Sequence, residues 1–329
     1  MRFKPVYRIV IGASEIDVTR DVTASAVVSL DIERALDLAV DSCELVLAPL
    51  GGVQPAPGDD ISVDLGYDTT LHRVFTGSIA SVALEATAVR VMALSPVRAL
   101  TARRLGRAYT GRSAGQIVRD LAGEANVRTG VIDDGIRFPV YAVDERVSLA
   151  RNIMRLAERC GFDAYVLPTG ELEFRRFTGA VIHVFTYGKD ILDYRVSVRP
   201  ERASTVTVFG ESAASARGDA AASWLTRNFG SGTASGGAGD EPILILDPAI
   251  RTTEGATQRA EAALRRSRQR ARIGWLQALG RPEIALGDAL RIEQAPDSRL
   301  NDTFQARAIR HRLTRRRGLL TDIDIWGMP

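Results

Sequence analysis

The sequence has few of the residues on which metal sites, disulfide frameworks and membrane spans depend. Only two of its 329 residues are cysteine and three are histidine, and Cys43 and Cys160 lie in apolar segments without CxxC spacing. We therefore expect both thiols to be buried and free. No apolar run approaches the roughly 20 residues that cross a bilayer, and the N-terminus lacks the apolar block of a secretory signal. These absences predict a protein that folds in the cytoplasm without membrane insertion.

Lysine is also scarce, so the basic residues are almost all arginine. Lys4 and Lys189 are the only lysines among 43 basic residues, and the formal net charge is only +3. We give this arginine bias little functional weight. With 45% hydrophobic and 25% charged residues, the composition is typical of a soluble globular chain of about two domains.

Alternating apolar residues predict a β-rich first domain over residues 1–100. The clearest case is PGDDISVDLGYDTTLHRVFTGSI, which runs from Pro57 to Ile79. Its period of two separates an apolar face from an acidic one. The apolar face consists of Ile61, Val63, Leu65 and Tyr67, and the acidic face carries Asp60, Asp64 and Asp68.

Residues 101–198 predict a small inserted α/β domain. Ser113 and Ser148 each precede an apolar stripe at helical spacing, as helix N-caps do. Gly161 follows the second stripe and is expected to end that helix. AYVLPTGELEF then predicts a β-hairpin that turns at Pro168 to Gly170.

Residues 199–329 predict a second β domain that carries two additional features. GSGTASGGAG at 230–239 has nothing to bury and predicts a flexible loop. Residues 253–272 predict a basic helix whose narrow apolar side includes Ala256, Ala260 and Leu264.

An internal repeat relates the first and last domains. The stretch from Gly58 aligns without a gap with GDALRIEQAPDSRLNDTFQARAIRHRL from Gly287. This alignment pairs Gly58 and Asp59 with Gly287 and Asp288, Phe75 with Phe304, and Gly77 with Ala306. A shared Gly-Asp turn followed by the same spacings indicates a duplicated β unit.

The aspartates of the first copy raise the question of a metal site, which strand geometry answers. A strand rises about 3.3 Å per residue, so carboxylates four positions apart lie roughly 13 Å from each other and cannot share one ion. The ligand order of an EF-hand loop is absent. We therefore interpret the acidic positions as the solvated face of a strand.

No motif for catalysis or cofactor binding is found. His72, His183 and His311 lie in separate segments, and the GxSxG, P-loop and GxGxxG patterns are missing. Acidic pairs such as Asp133 with Asp134 leave a cell-wall hydrolase as a minor alternative. We expect no enzyme activity, no metal and no cofactor.

Two arginine clusters leave a nucleic-acid-binding alternative open. One lies in the turn from Arg315 to Arg317. The other lies in the basic helix and consists of Arg265, Arg266, Arg268, Arg270 and Arg272. No aromatic residue for base stacking is interleaved with either cluster, and the nearest ones, Trp275 and Trp326, lie outside them. Docking onto an acidic protein surface or plain solvent exposure is favoured, and the helical cluster is a candidate partner contact.

The order of motifs resembles the baseplate hub proteins of contractile tails, the phage late control D family, whose relatives include the N-terminal part of type VI secretion spike proteins. The matching segments are PGDDISVDLGY, VFTGSIASV, YTGRSAGQIVRDLAGEANV, SLARNIMRLAERCGFDAYVLPTGELEF, IALGDALRIEQAP and FQARAIRHRLTRRRGLLTDIDI. Together they extend over nearly the whole chain.

This resemblance implies a mainly β fold, with two tube-like β-barrel domains related by duplication and a small inserted α/β domain. It further implies a homotrimer whose six barrel-like domains form a ring between a tail tube protein and a spike protein, beside other baseplate components. Such a particle would assemble in the bacterial cytoplasm. Since the sequence stops at Pro329, the spike is expected to be a separate chain. We expect a set of structural positions to shape the β units: Gly58, Asp59, Gly66, Phe75, Gly77, Gly287, Asp288 and Phe304.

Overall fold

The computed structural model describes residues 4–19, 26–38, 40–49, 52–210 and 231–328. The mainly β class with an α+β insertion is confirmed. The first part of the chain forms seven strands: β1 (Pro5–Ile11), β2 (Ser14–Asp17), β3 (Val27–Ala35), β4 (Ser42–Leu47), β5 (Asp60–Tyr67), β6 (Thr70–Leu84) and β7 (Val89–Leu94).

Helices and short strands alternate in the middle of the chain. They are α1 (Val97–Ala102), β8 (Arg107–Ser113), α2 (Ala114–Glu124), β9 (Thr129–Ile132), β10 (Arg137–Val143), α3 (Leu149–Cys160), β11 (Asp163–Val166) and β12 (Leu172–Arg175). The predicted caps are confirmed: Ser113 and Ser148 accept N–H hydrogen bonds at the starts of α2 and α3, and Gly161 ends α3 at φ 67°.

The last part of the chain returns to strands, with one long helix. Its elements are β13 (Ile182–Thr186), β14 (Ile191–Val198), β15 (Ala203–Gly210), β16 (Ser231–Ser235), β17 (Glu241–Asp247), α4 (Thr253–Gln269), β18 (Arg272–Leu279), β19 (Ala289–Glu293), β20 (Thr303–Thr314) and β21 (Gly318–Gly327). A 3-10 turn spans Ser298–Leu300.

Thirteen strands form one curled sheet whose two halves repeat the same topology. Neighbouring strands run β1-β5-β6-β7-β4-β3 in the first half and β13-β19-β20-β21-β18-β14 in the second. With β2, an additional strand beside β1, left aside, each half uses six strands in the same chain order. One difference is that β1 pairs antiparallel with β5, whereas β13 pairs parallel with β19. Strand β3 pairs with β20 and joins the halves.

The limits of these halves differ from the domain borders predicted at residues 100, 198 and 199. The second half begins with β13, inside the segment predicted as the insertion. A short connection joins β3 and β4 in the first half. The equivalent connection in the second half, between β14 and β18, is long and contains β15, β16, β17 and α4. Val206, Ala260 and Leu264 of this long connection share a hydrophobic core with Ile117 and Leu156 of the middle segment.

The glycine-rich segment predicted as a loop over 230–239 contains a strand over half of its length. Gly230 lies outside the described residues, and Ser231–Ser235 form β16, which pairs with β15. The glycines have a packing role, because a Cβ on Gly232 would collide with the backbone of α4 at Thr257. The basic helix also ends earlier than predicted, at Gln269 instead of residue 272.

Candidate functional site

The two Gly-Asp turns have the same local geometry. Gly58 and Gly287 adopt φ values of 97° and 82°, in the left-handed region that favours glycine. Asp59 accepts the N–H of Ala56 at 2.9 Å, and Asp288 accepts that of Ala285 at 2.8 Å. Each carboxylate therefore closes its own turn. The second one also lies 2.9 Å from Nε2 of His183 on β13.

The gapless alignment of the repeat is wrong by two residues on its second strand. Ile61 lies opposite Gly77 in the first half, and its counterpart Leu290 lies opposite Phe304. Phe304 thus occupies the position of Gly77 and not that of Phe75. The segment between β19 and β20 bulges through the 3-10 turn and differs in length from the tight β5–β6 turn. A two-residue slip leaves side chains on the same face, so both phenylalanines are buried.

Two glycines mark close backbone approaches in the first half. A Cβ on Gly66 would collide with the carbonyl oxygen of Thr70, and a Cβ on Gly77 would collide with that of Leu94. These positions, selected from sequence as structural, have a steric reason to be glycine.

The acidic face of β5 is only partly solvated, which corrects the sequence interpretation. Asp60 is exposed. Asp64 is only 6% exposed and forms ion pairs with Arg73 and, at 3.3 Å, with Arg8. Within the described ranges no group of three or more His, Cys, Asp or Glu residues could hold a metal ion.

The remaining polar residues considered for catalysis are engaged in structural contacts. His311 is fully buried and lies 3.0 Å from the hydroxyl of Thr321, and burial, followed by the nearby Arg34, lowers its pKa to about 3. Asp133 accepts the N–H of Arg176, and Asp134 accepts the Ser113 hydroxyl. Both cysteines are buried and free, as predicted.

The arginines of the basic helix point to different surroundings. Arg265 forms an ion pair with Glu261 at 3.7 Å, and Arg268 with Glu201 at 3.8 Å. Arg272 lies in β18, where it pairs with Asp302 and covers the ring of Phe304. Of the five arginines in the helical cluster, Arg266 and Arg270 reach the cleft described next.

Arg266 and Arg270 lie over the ring of Trp326 at 5.5 and 5.3 Å from its centre. Arg307 covers the same ring at 4.5 Å. Trp326, which lies outside the cluster in sequence, therefore contacts it in the fold. Trp326 lies on β21, which pairs with β18, and this pairing brings Trp326 next to the end of α4.

A cleft of about 680 Å³ opens between α3, α4, β17 and Trp326. We call it the basic cleft, because its lining contains seven arginines and only two acidic residues. The arginines are Arg151, Arg155, Arg199, Arg202, Arg259, Arg266 and Arg270, and the acids are Asp37 and Glu158. Burial, together with the neighbouring Arg307, lowers the pKa of Arg266.

A buried polar network fixes the wall of this cleft. Asp163 on β11 accepts hydrogen bonds from Arg307 and Gln305 of β20, both at 2.6 Å. Gln305 in turn accepts the side-chain amide N–H of Gln269 at 2.8 Å. The network ties α4 and the inserted segment to the second half of the sheet.

On the other side, Arg159 of α3 clamps Asp247 at the end of β17 through two hydrogen bonds of 2.8 and 3.0 Å. Such a bidentate pair holds both partners in a defined orientation. The pair holds β17, whose Ile243 and Ile245 line the cleft, against α3.

Searches with protein-family models and among curated proteins found no match. Solved structures do match. A 43 kDa tail protein of prophage MuSo2 from Shewanella oneidensis superimposes with a TM-score of 0.70 over 98% of both chains at 14% identity. A tail protein from Neisseria meningitidis gives 0.69 at 12% identity over 98% of this chain and 96% of that one. This chain has the fold of phage tail proteins.

The same tail-protein fold occurs in a secretion-system component. An Escherichia coli protein described as part of the type VI secretion system matches with a TM-score of 0.62 at 9% identity. The match covers 92% of this chain and 74% of the Escherichia coli chain. The predicted resemblance in fold to tail proteins and type VI spike-related proteins is thus confirmed.

One surface of this tail-protein fold was missed in the sequence. The outer side chains of β13 and β14, at the two ends of the second half-sheet, are apolar and exposed. They are Ile182 (46%), Val184 (42%), Leu192 (51%) and Val198 (45%). We call these four residues the apolar edge. Apolar residues on both sides of β13 were the available signal, because a strand with one solvated face alternates with polar residues.

None of the helices that the structure describes is long and apolar enough to span a membrane.

Proposed function

We propose that this chain is a structural hub of a contractile tail or injection machine. Three copies would form a ring of six similar β units that joins a tail tube to a separate trimeric spike. The observation that carries the proposal is the duplicated strand order within one chain. Two units per chain allow a threefold assembly to present a sixfold surface to a tube. The fold shared with phage tail proteins and a type VI component supports the same role.

We propose a domain organisation in which the two sheet halves are the ring-forming units and the inserted segments lie beside them. The first half comprises β1 to β7, and the second comprises β13, β14 and β18 to β21. The hub would act through its surfaces in the particle, with no catalytic role, no cofactor and no metal. Other baseplate components would contact it from outside the ring.

The apolar edge is the proposed contact between subunits. Strand edges with exposed apolar side chains promote association unless a partner covers them. A neighbouring copy of the chain would pair with β13, bury Ile182 and Val184, and continue the sheet from one subunit to the next. The opposite end of the sheet, at β2, supplies the second surface that a closed ring needs.

Light scattering during size-exclusion chromatography tests this proposal. We expect a mass three times that of the 35.6 kDa chain, alone or with the spike protein added. Ile182→Asp should lower the mass to that of a monomer, because it places a charge in the contact. Val131→Asp is the matched control, since Val131 is equally exposed (49%) but lies in the inserted segment. A wild-type monomer in both samples, or an intact Ile182→Asp trimer, would contradict the proposal.

A further inference from the structure

We propose that the basic cleft binds an acidic segment of a partner protein, one that carries apolar side chains between its carboxylates. The inference does not depend on the trimeric ring, because one chain supplies every residue that lines the cleft. The volume of about 680 Å³ is within the range of ligand-binding clefts.

Unpaired charge is the first observation that points to a ligand. Arg155, Arg202 and Arg259 have acidic partners in Asp144, Glu241 and Glu158. Among the described residues no salt bridge or side-chain hydrogen bond is found for Arg151, Arg199 or Arg270. These three come from α3, the β14–β15 connection and the end of α4, so they converge from three sides on one cleft. Like charges so arranged repel one another until an anionic group lies between them.

The second observation is that Arg259 is fixed at the wall of the cleft. Nε of Arg259 is inaccessible to solvent and has no hydrogen-bond partner among the described residues. Its side chain is 11% exposed and is held at the cleft wall by Glu158 and the more distant Asp247. Nε faces Asp247 at 3.9 Å and is closed to solvent, so a ligand would meet the positive charge of this guanidinium and not this atom.

The floor of the cleft distinguishes a peptide from a small anion. It is lined by the apolar side chains of Met154, Ile243, Ile245, Ala262 and Ala263. Inorganic phosphate would leave this surface uncovered, whereas a segment with alternating acidic and apolar residues would cover it and also reach the rim arginines. Binding sites of this kind combine apolar burial with a few charged contacts.

The aromatic residues of the cleft argue against nucleic acid. Single-stranded nucleic acids bind by stacking bases on aromatic rings. The only aromatic side chains in the lining are Phe162, which is 6% exposed, and Trp326. The ring of Trp326 is already covered by Arg266, Arg270 and Arg307. A nucleic acid could therefore use the arginines but would find no free ring.

Fluorescence anisotropy with a short labelled peptide of alternating glutamate and leucine tests the proposal on the full-length protein. We expect saturable binding that weakens at least about tenfold in Arg199→Glu and in Arg270→Glu, because charge reversal at a close pair carries a large coupling. Both side chains are exposed, and circular dichroism should show unchanged folding. A peptide with serine for leucine should bind more weakly at equal charge.

Arg317→Glu in the β20–β21 turn is the matched control, because it makes the same charge change on an exposed residue outside the cleft. Affinity for the peptide should be unchanged. Equal losses in all three variants would indicate nonspecific attraction and overturn the proposal, as would an absence of peptide binding. If an oligonucleotide of equal charge bound more tightly than the peptide and lost affinity in the cleft variants, the ligand would be a nucleic acid and not a peptide. If inorganic phosphate displaced the labelled peptide as well as unlabelled peptide does, the cleft would be a simple anion site.

Discussion

Arg307 on β20 donates a hydrogen bond of 2.6 Å to Asp163 on β11, and both side chains are more than nine-tenths buried. This pair connects the second half of the sheet to the inserted segment. Removing one partner of a buried ion pair leaves the other charge uncompensated.

Arg307→Met should therefore lower the free energy of unfolding by about 3–5 kcal/mol, measured by urea denaturation. Arg310→Met is the control on the same strand, because Arg310 is 48% exposed and pairs with Asp31 at the surface. Its cost should stay below about 1 kcal/mol. Similar values for the two variants would show that burial does not determine the strength of these pairs.

Gly77 on β6 gives a prediction that rests on steric fit. Gly77→Ala should destabilise the protein by about 1–3 kcal/mol or more, since the new Cβ collides with the Leu94 carbonyl. Gly123→Ala in α2 meets nothing within 4 Å and should stabilise by about 0.5–1 kcal/mol through helix propensity. Thermal unfolding of the two variants should shift in opposite directions. A Gly77→Ala protein as stable as the wild type would refute the close approach of β6 and β7.

The two Gly-Asp turns predict unequal costs for the same substitution. Asp59→Ala removes one hydrogen bond to a backbone N–H and should cost about 1 kcal/mol. Asp288→Ala removes the equivalent bond together with the contact to His183 and should cost more. His183→Ala tests the difference: in that background the two aspartate substitutions should become nearly equal in chemical denaturation. If the two aspartate substitutions still differed in stability in the His183→Ala background, the contact between Asp288 and His183 would not be the cause of the difference.

Burial of His311 predicts a component of acid sensitivity. Its pKa is lowered to about 3 in the folded protein, whereas an unfolded histidine takes up a proton near pH 6.5. Below that pH the unfolded state binds more protons, so stability falls as the pH drops from 6.5 toward 3. His311→Gln should flatten the dependence of the urea midpoint between pH 7 and pH 4.5. Equal slopes for His311→Gln and the wild type would contradict the prediction.

Local chemistry made several features predictable from the sequence. Ser113, Ser148 and Gly161 act on backbone groups within a few residues, so their positions alone indicated where α2 begins and where α3 begins and ends. The left-handed turns at Gly58 and Gly287 are equally local.

Features that depend on distant packing were not predictable in this way. Trp326 meets Arg266 only because β21 lies beside β18. Gly232 belongs to a strand because its missing side chain lets α4 approach, although its neighbours in sequence resemble a linker. The two-residue slip near Phe304 arose because a gapless alignment cannot represent loops of different length. The basic cleft combines α3, α4 and β17, so no single segment could reveal it.

The pairing of β3 with β20 has a mechanical consequence. Seven consecutive residue pairs, from Ser29 with Thr314 to Ala35 with Ala308, join the two halves of the sheet along antiparallel strands. A pull that separates the halves along these strands must shear the backbone hydrogen bonds together instead of opening them one at a time. The chain can therefore transmit a load from one half of the sheet to the other without a hinge at this junction.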